Sequence, residues 1–170
     1  INDNNTEIEK KSMMWSAYNE DILVEWGDTA QCYKWLHTES HIRYANQHAW
    51  FTIPTIVFST AAGTASFAQT GFVSSSAQYY ASITTGTVNI LVGLLSTIQE
   101  YLKISEFKES HRVAYICWDK FARNIKVELA KTPMERADAH HFIKVSRLEY
   151  DRLMETSPII TPNIVKLFLT

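Results

Sequence analysis

Between Arg43 and Glu100 the chain carries no Asp, Glu, Lys or Arg across 56 consecutive residues, Tyr44 to Gln99. With 20% of all residues charged, a chance arrangement leaves a given window of that length uncharged with a probability on the order of 10⁻⁶. Helices that face water show charge every turn or two. The gap therefore restricts this segment to the interior of a helical bundle or to a lipid bilayer. All 34 charged residues crowd into the other 114 positions, so the flanks belong in water and the middle does not.

Two stretches inside the gap have the length of a membrane span, Trp50 to Ala68 (WFTIPTIVFSTAAGTASFA) and Tyr80 to Ile98 (YASITTGTVNILVGLLSTI). Nineteen helical residues reach about 28 Å, against a hydrocarbon thickness of about 30 Å. Only 11 and 10 of the nineteen are apolar, so hydropathy alone makes both weak spans. The flanking charge supplies the missing argument. Lys34 and Arg43 precede the first span and Lys103, Lys108 and Arg112 follow the second, whereas the connecting QTGFVSSSAQY carries none. By the positive-inside rule both ends face the cytosol. Tyr44, Trp50, Phe51, Phe67, Phe72, Tyr79, Tyr80 and Tyr101 fall where lipid headgroups would lie. The expected localisation is a membrane crossed twice, with both termini on the cytosolic side. Pro54 either opens the first spanning helix or kinks one that continues from before it.

The small and polar residues of the spans are ordered. In the second they fall at Ser82, Gly86, Asn89, Gly93 and Ser96, a 4-3-4-3 seam. In the first, His48, Thr52, Thr55, Ser59, Ala62, Ser66 and Gln69 alternate in the same way, and Ser59 with Gly63 matches a small-xxx-small pair. Two uses fit such seams: close helix packing, or a wet stripe lining a pore built from several copies, because one hairpin encloses no channel. Candidate pore-lining or packing residues are thus Thr52, Thr55, Ser59, Gly63, Ser66, Ser82, Gly86, Asn89, Gly93 and Ser96. Asn89, whose amide lipid cannot satisfy, is the one expected to point at something polar.

The flanks read as amphipathic helices. From about Ile8 to His48, Leu23, Trp26, Ala30, Tyr33, His37, Ser40 and Tyr44 follow 3-4 spacing, and after the second span Ile104, His111, Tyr115, Trp118, Ala122, Ile125 and Leu129 form a second stripe. Trp26, Tyr33, His37, His111 and Trp118 are the candidate contacts of a cytosolic bundle, with Trp118 buried against the leader. No Gly or Pro interrupts Leu94 to Lys131, so the second span is expected to run straight into the cytosolic helix. Thr132-Pro133-Met134-Glu135 reads as the start of a helix to about Glu155. Ser157-Pro158 breaks that helix, and Thr161-Pro162 opens a short last one. The expected fold class is all-α, a two-transmembrane hairpin continued into long amphipathic helices that form a bundle. Its parts are 1–49, N-terminal amphipathic helices; 50–98, the hairpin; and 99–170, a C-terminal helical region packing on the leader.

Net charge is −2, with 16 basic against 18 acidic residues, which leaves no basic excess for a nucleic-acid backbone. The opening INDNNTEIEKK has no apolar core of a signal peptide. Two cysteines, Cys32 and Cys117, are too few for a disulfide framework and suit a reducing compartment and buried apolar positions. No GxGxxG, P-loop, HExxH, GxSxG or CxxC motif occurs, so an enzyme is not expected, nor any cofactor. His37 and His41 share a helix face and would bind a metal only with a third ligand, which the sequence does not offer; they are read as structural.

Taken in order, WLHTESHIRY, IPTIVFSTAAGTASF, NILVGLLSTIQEYLKISEF, ESHRVAYICW and ETSPIITPNIV make the chain resemble the SLATT family, two-transmembrane effector domains associated with SMODS nucleotidyltransferases and SLOG sensors. The resemblance covers roughly Trp15 to Phe168 and lies in the hydropathy plan and short matches. It implies a membrane-inserted helical protein that oligomerises into a pore, acting in antiviral defence by killing or arresting an infected cell. No sensor or nucleotidyltransferase lies within these residues, so such a partner would act in trans. The alternative is a non-conducting anchor tying a membrane to a protein lattice, for example in a large virus with an internal membrane. The two differ in whether the polar seams face a shared axis or are consumed by packing.

Overall fold

The computed structural model describes residues 15–72 and 74–169, and excludes the side chains of Thr70, Phe72, Ser75 and Ser76. The expected leader helix from Ile8 therefore lies, over residues 8–14, outside the described residues. Those described form five helices and no strand: α1 (Ala17–Phe72), α2 (Ser75–Tyr101), α3 (Ile104–Ala130), α4 (Ala139–Thr156) and α5 (Pro162–Phe168). The fold is all-α.

Two compact units divide the chain. Unit 1 combines the described residues up to His41 with those from Glu109 onward; unit 2 is Ile42–Lys108. The two flanks, far apart in sequence, thus build one body.

Unit 1 is organised by the two stripes. Leu23 and Ala30 from α1 meet Ala114, Trp118, Phe121, Ala122 and Ile125 from α3 and Ala139 and Leu153 from α4, with Trp15 completing the core. Ile164 of α5 is buried as well. Each stripe repeats every 3.5 residues, so its members stay on one side of the helix as it advances.

The start of α4 differs from expectation. Thr132-Pro133-Met134-Glu135 is a turn, and α4 begins at Ala139 after Asp138. Arg136, nearly buried, explains the delay. Its guanidinium donates to the carbonyls of Leu129 (2.8 Å) and Lys131 (3.0 Å), which α3 leaves unpaired at its C-terminus, and pairs with Glu20. It also lies 4.9 Å over the Trp15 ring, whose indole N–H donates to Ala137 O at 3.0 Å. Glu128 accepts the Ala137 N–H at 2.6 Å. The segment is held as a cap for α3, which an early helix would prevent.

The passage from α2 to α3 also differs. The second apolar segment does not run straight on: the helix stops at Tyr101, and Lys103 takes φ 51° in the left-handed region before α3 starts at Ile104. A non-glycine residue there costs about 1–2 kcal/mol. Packing within unit 2 offsets it, because the break lets Ile104 become buried and sets the Phe107 ring on Tyr44 at 5.5 Å. No glycine or proline announces the break.

Pro54 does not begin a helix; α1 continues through it without interruption. The remaining boundaries match, with α4 ending before Ser157-Pro158 and α5 opening at Thr161-Pro162.

Candidate functional site

Two helices are long and apolar enough to cross a membrane, α1 and the helical stretch containing α2. The apolar window of α1 is 6% buried and that of the second helix 0%. A core helix of a water-soluble bundle has most of such a window covered. Here Ile53, Ile56, Val57, Phe58, Ile90 and Leu91 are each more than half exposed.

Within unit 2 the two apolar segments run antiparallel. Gln99 donates to Thr52 at 3.0 Å near one end, and near the other Gln69 donates to Thr85 at 2.8 Å while accepting from Ser82 at 3.2 Å. Thr52 also contacts His48 Nδ1 at 3.4 Å. The α1 stripe therefore supplies much of the contact with α2: His48, Thr52, Thr55 and Gln69 are half-buried and Ala62 is buried, while Ser59, Gly63 and Ser66 remain exposed.

On α2 the face turned inward is a different one. Ala81, Thr85, Val88, Val92, Leu95 and Gln99 are half-buried, whereas Ser82, Gly86, Asn89, Gly93 and Ser96 are all exposed. A Cβ built on Gly63, Gly86 or Gly93 meets nothing within 4 Å. The inward face has the same 4-3 spacing one register over, a signal present in the sequence but masked by the more conspicuous small-residue seam.

Most hydroxyls in the two segments are satisfied by their own helix. Thr55, Ser59, Thr60, Thr64, Ser66, Thr84, Thr87 and Thr97 each donate to the carbonyl four residues back, at 2.7–2.9 Å. This removes much of the cost that makes such segments look too polar for lipid. Asn89 is different. Its exposed amide forms no hydrogen bond among the described residues.

Unit 1 gathers all five bundle candidates. Trp118 has no exposed surface; Tyr33 stacks on it at 4.8 Å, and Trp26 reaches the same cluster through Tyr150, at 5.7 Å. His37 and His111 are buried with their Nδ1 atoms 2.9 Å apart. Burial, and then the neighbouring imidazole, lowers His37 to about 4; burial, and then His41, lowers His111. Spacing placed His37 and His111 on the stripes of two different helices, but did not predict that they would bond each other. Cys32 and Cys117 are free and half-buried, less enclosed than expected.

Among the described residues no group of three or more His, Cys, Asp or Glu side chains can hold a metal ion. A groove of about 340 Å³ in unit 1 runs past Ser110, Cys117 and Arg152. Arg152 is bound by both oxygens of Glu149, at 2.9 and 2.6 Å. Its charge is already matched.

No protein-family model, no curated protein and no solved structure matches this chain.

Proposed function

We propose that the chain is an integral membrane protein whose two apolar segments cross the bilayer as an antiparallel hairpin, with unit 1 on the cytosolic side, and that several copies assemble through the outer face of α2 into a pore. One observation carries the reading: Ser82, Gly86, Asn89, Gly93 and Ser96 are all exposed, and the amide at the centre of this seam forms no hydrogen bond among the described residues. In hydrocarbon an unpaired amide costs several kcal/mol. A second copy or a column of water removes that cost. The absence of charge from Tyr44 to Gln99, with Lys and Arg on both flanks, supports the topology.

The resemblance to SLATT effectors supplies the class of activity, a membrane-permeabilising effector released by a trigger. A sensor or nucleotidyltransferase acting in trans would supply that trigger through unit 1. Planar bilayers with purified chain test the reading. Conductance that becomes more cation-selective in Asn89→Asp, where a carboxylate from each copy faces the axis, supports the pore. Wild-type assemblies that never conduct, even with the trigger present, sink it.

The second reading, a non-conducting anchor between a bilayer and a protein lattice, is favoured by the other seam. Thr52, Gln69 and Thr85 use their polar groups within the hairpin, as a packing role requires. For that reading the α2 seam seats a neighbour without a channel. Bilayer-embedded assemblies that are lattice-like and silent support it.

A further inference from the structure

Inside unit 1 two imidazoles face each other where α1 packs on α3. His37 and His111 are 0% and 1% exposed, and their Nδ1 atoms lie 2.9 Å apart. At that distance one Nδ1 carries a proton and donates while the other accepts, so the neutral pair holds complementary tautomers. The outer nitrogen of His37, Nε2, is buried without a hydrogen-bond partner. A proton added to His37 leaves a charged ring whose Nε2–H has no acceptor. A proton on each ring sets two donors and two like charges face to face. A charge on His37, or on both rings, therefore does not suit the closed contact.

The titratable groups around the pair come from the helices that carry it. On α1, Tyr33 stacks on His37 at 6.4 Å, and His41 lies one turn on. On α3, Tyr115 contacts His41 at 5.8 Å. The same two helices are bridged by an ion pair between Lys34 and Asp119 at 2.7 Å. From α4, Tyr150 reaches Trp118 rather than the imidazoles, and from α5, Phe168 packs on Trp35.

We infer that the His37–His111 pair is a proton-operated clamp: neutral, it ties α1 to α3, and protonated, it releases them. The inference concerns unit 1 alone and does not rest on the membrane reading. Its pH direction follows from linkage. Both rings bind protons less readily in the closed contact than when separated, His37 being lowered from 6.5 to about 4. The open form therefore takes up protons first, and the closed form loses ground as pH falls from 6.5 towards 4. For His37 alone the closed-to-open ratio changes on the order of 100-fold between about pH 7.5 and about pH 4.5.

The test uses the full chain, labelled with ¹⁵N-histidine in detergent, in two parallel titrations. Long-range ¹⁵N–¹H spectra report the tautomer and protonation of each ring, and amide exchange, corrected for intrinsic rate, reports the protection of residues 33–41 and 109–115. The expected result is two rings of opposite tautomer that stay neutral well below pH 6.5, and a loss of protection at the pH where they protonate. A H37N/H111N chain, which keeps a side-chain hydrogen bond at the Nδ1 positions and does not titrate, should hold its protection throughout. Two rings titrating at their ordinary value with protection unchanged would overturn the inference. So would the same loss of protection in the double asparagine chain. If that chain does not fold, the wild-type titrations alone decide.

Discussion

Trp118 has no exposed surface, and its neighbours are rings on three helices: Tyr33 stacked at 4.8 Å, Tyr150 edge-on at 5.6 Å and Phe121 edge-on at 6.3 Å. Its indole N–H donates to Ser157 Oγ at 3.0 Å, which ties the end of α4 to α3. Truncation removes both the packing and that tether, so Trp118→Ala should lower stability by about 3–5 kcal/mol in chemical unfolding followed in detergent. An unchanged midpoint would mean that the cluster contributes nothing. Arg136 makes a second, separable test at the same scale. Arg136→Met keeps an apolar stem beside Trp15 but strands the carbonyls of Leu129 and Lys131. A loss of about 2 kcal/mol is expected. The role of Trp118 was legible because its stripe runs in step with that of Leu23, Ala30 and His37. The role of Arg136 was not, because no local pattern marks a guanidinium that caps a helix from six residues beyond its end.

At the scale of the element, the two seams of unit 2 look alike in sequence and differ in use. Ala62, on the α1 seam, is 5% exposed, so Ala62→Leu must push α1 and α2 apart and should cost roughly 1–3 kcal/mol. Gly93, on the α2 seam, has open space where a Cβ would stand. Gly93→Leu should leave the hairpin intact, and even favour the helix by roughly 0.8 kcal/mol, while blocking any copy that packs there. The pair of variants separates the two roles. Light scattering in detergent should show Ala62→Leu unfolding at lower denaturant with its oligomer number unchanged below the transition. Gly93→Leu should do the reverse, staying folded with smaller assemblies. Gly93→Leu with wild-type oligomer size would exclude the α2 seam as a subunit contact. Periodicity revealed both seams, but which face of α2 meets α1 depends on rotation about the helix axis. That rotation is set by the Gln69–Thr85 and Gln99–Thr52 bonds, which join residues 16 and 47 positions apart.

For the whole molecule, the proposed topology predicts that Ser74 and Thr132 lie on opposite sides of a membrane. Single cysteines at these positions, in a chain with Cys32 and Cys117 replaced by Ser, should react with an impermeant maleimide from opposite faces of sealed vesicles. Labelling of both from one face would end the two-span reading. The sequence by itself determined that the described residues are helical and that two of the helices are long and apolar enough to cross a membrane, because charge distribution and 3.5-residue spacing act locally along the chain and survive any arrangement of its elements. It also determined the stripes that meet in unit 1, since each must be covered by another like it. Only the tertiary structure decided the pairing of His37 with His111, the left-handed turn at Lys103, the late start of α4 and the outward face of the Ser82–Ser96 seam. Each of these depends on a contact between residues distant in sequence, whose energy offsets a local preference for something else: a continuous helix, an earlier cap, or hydrated imidazoles.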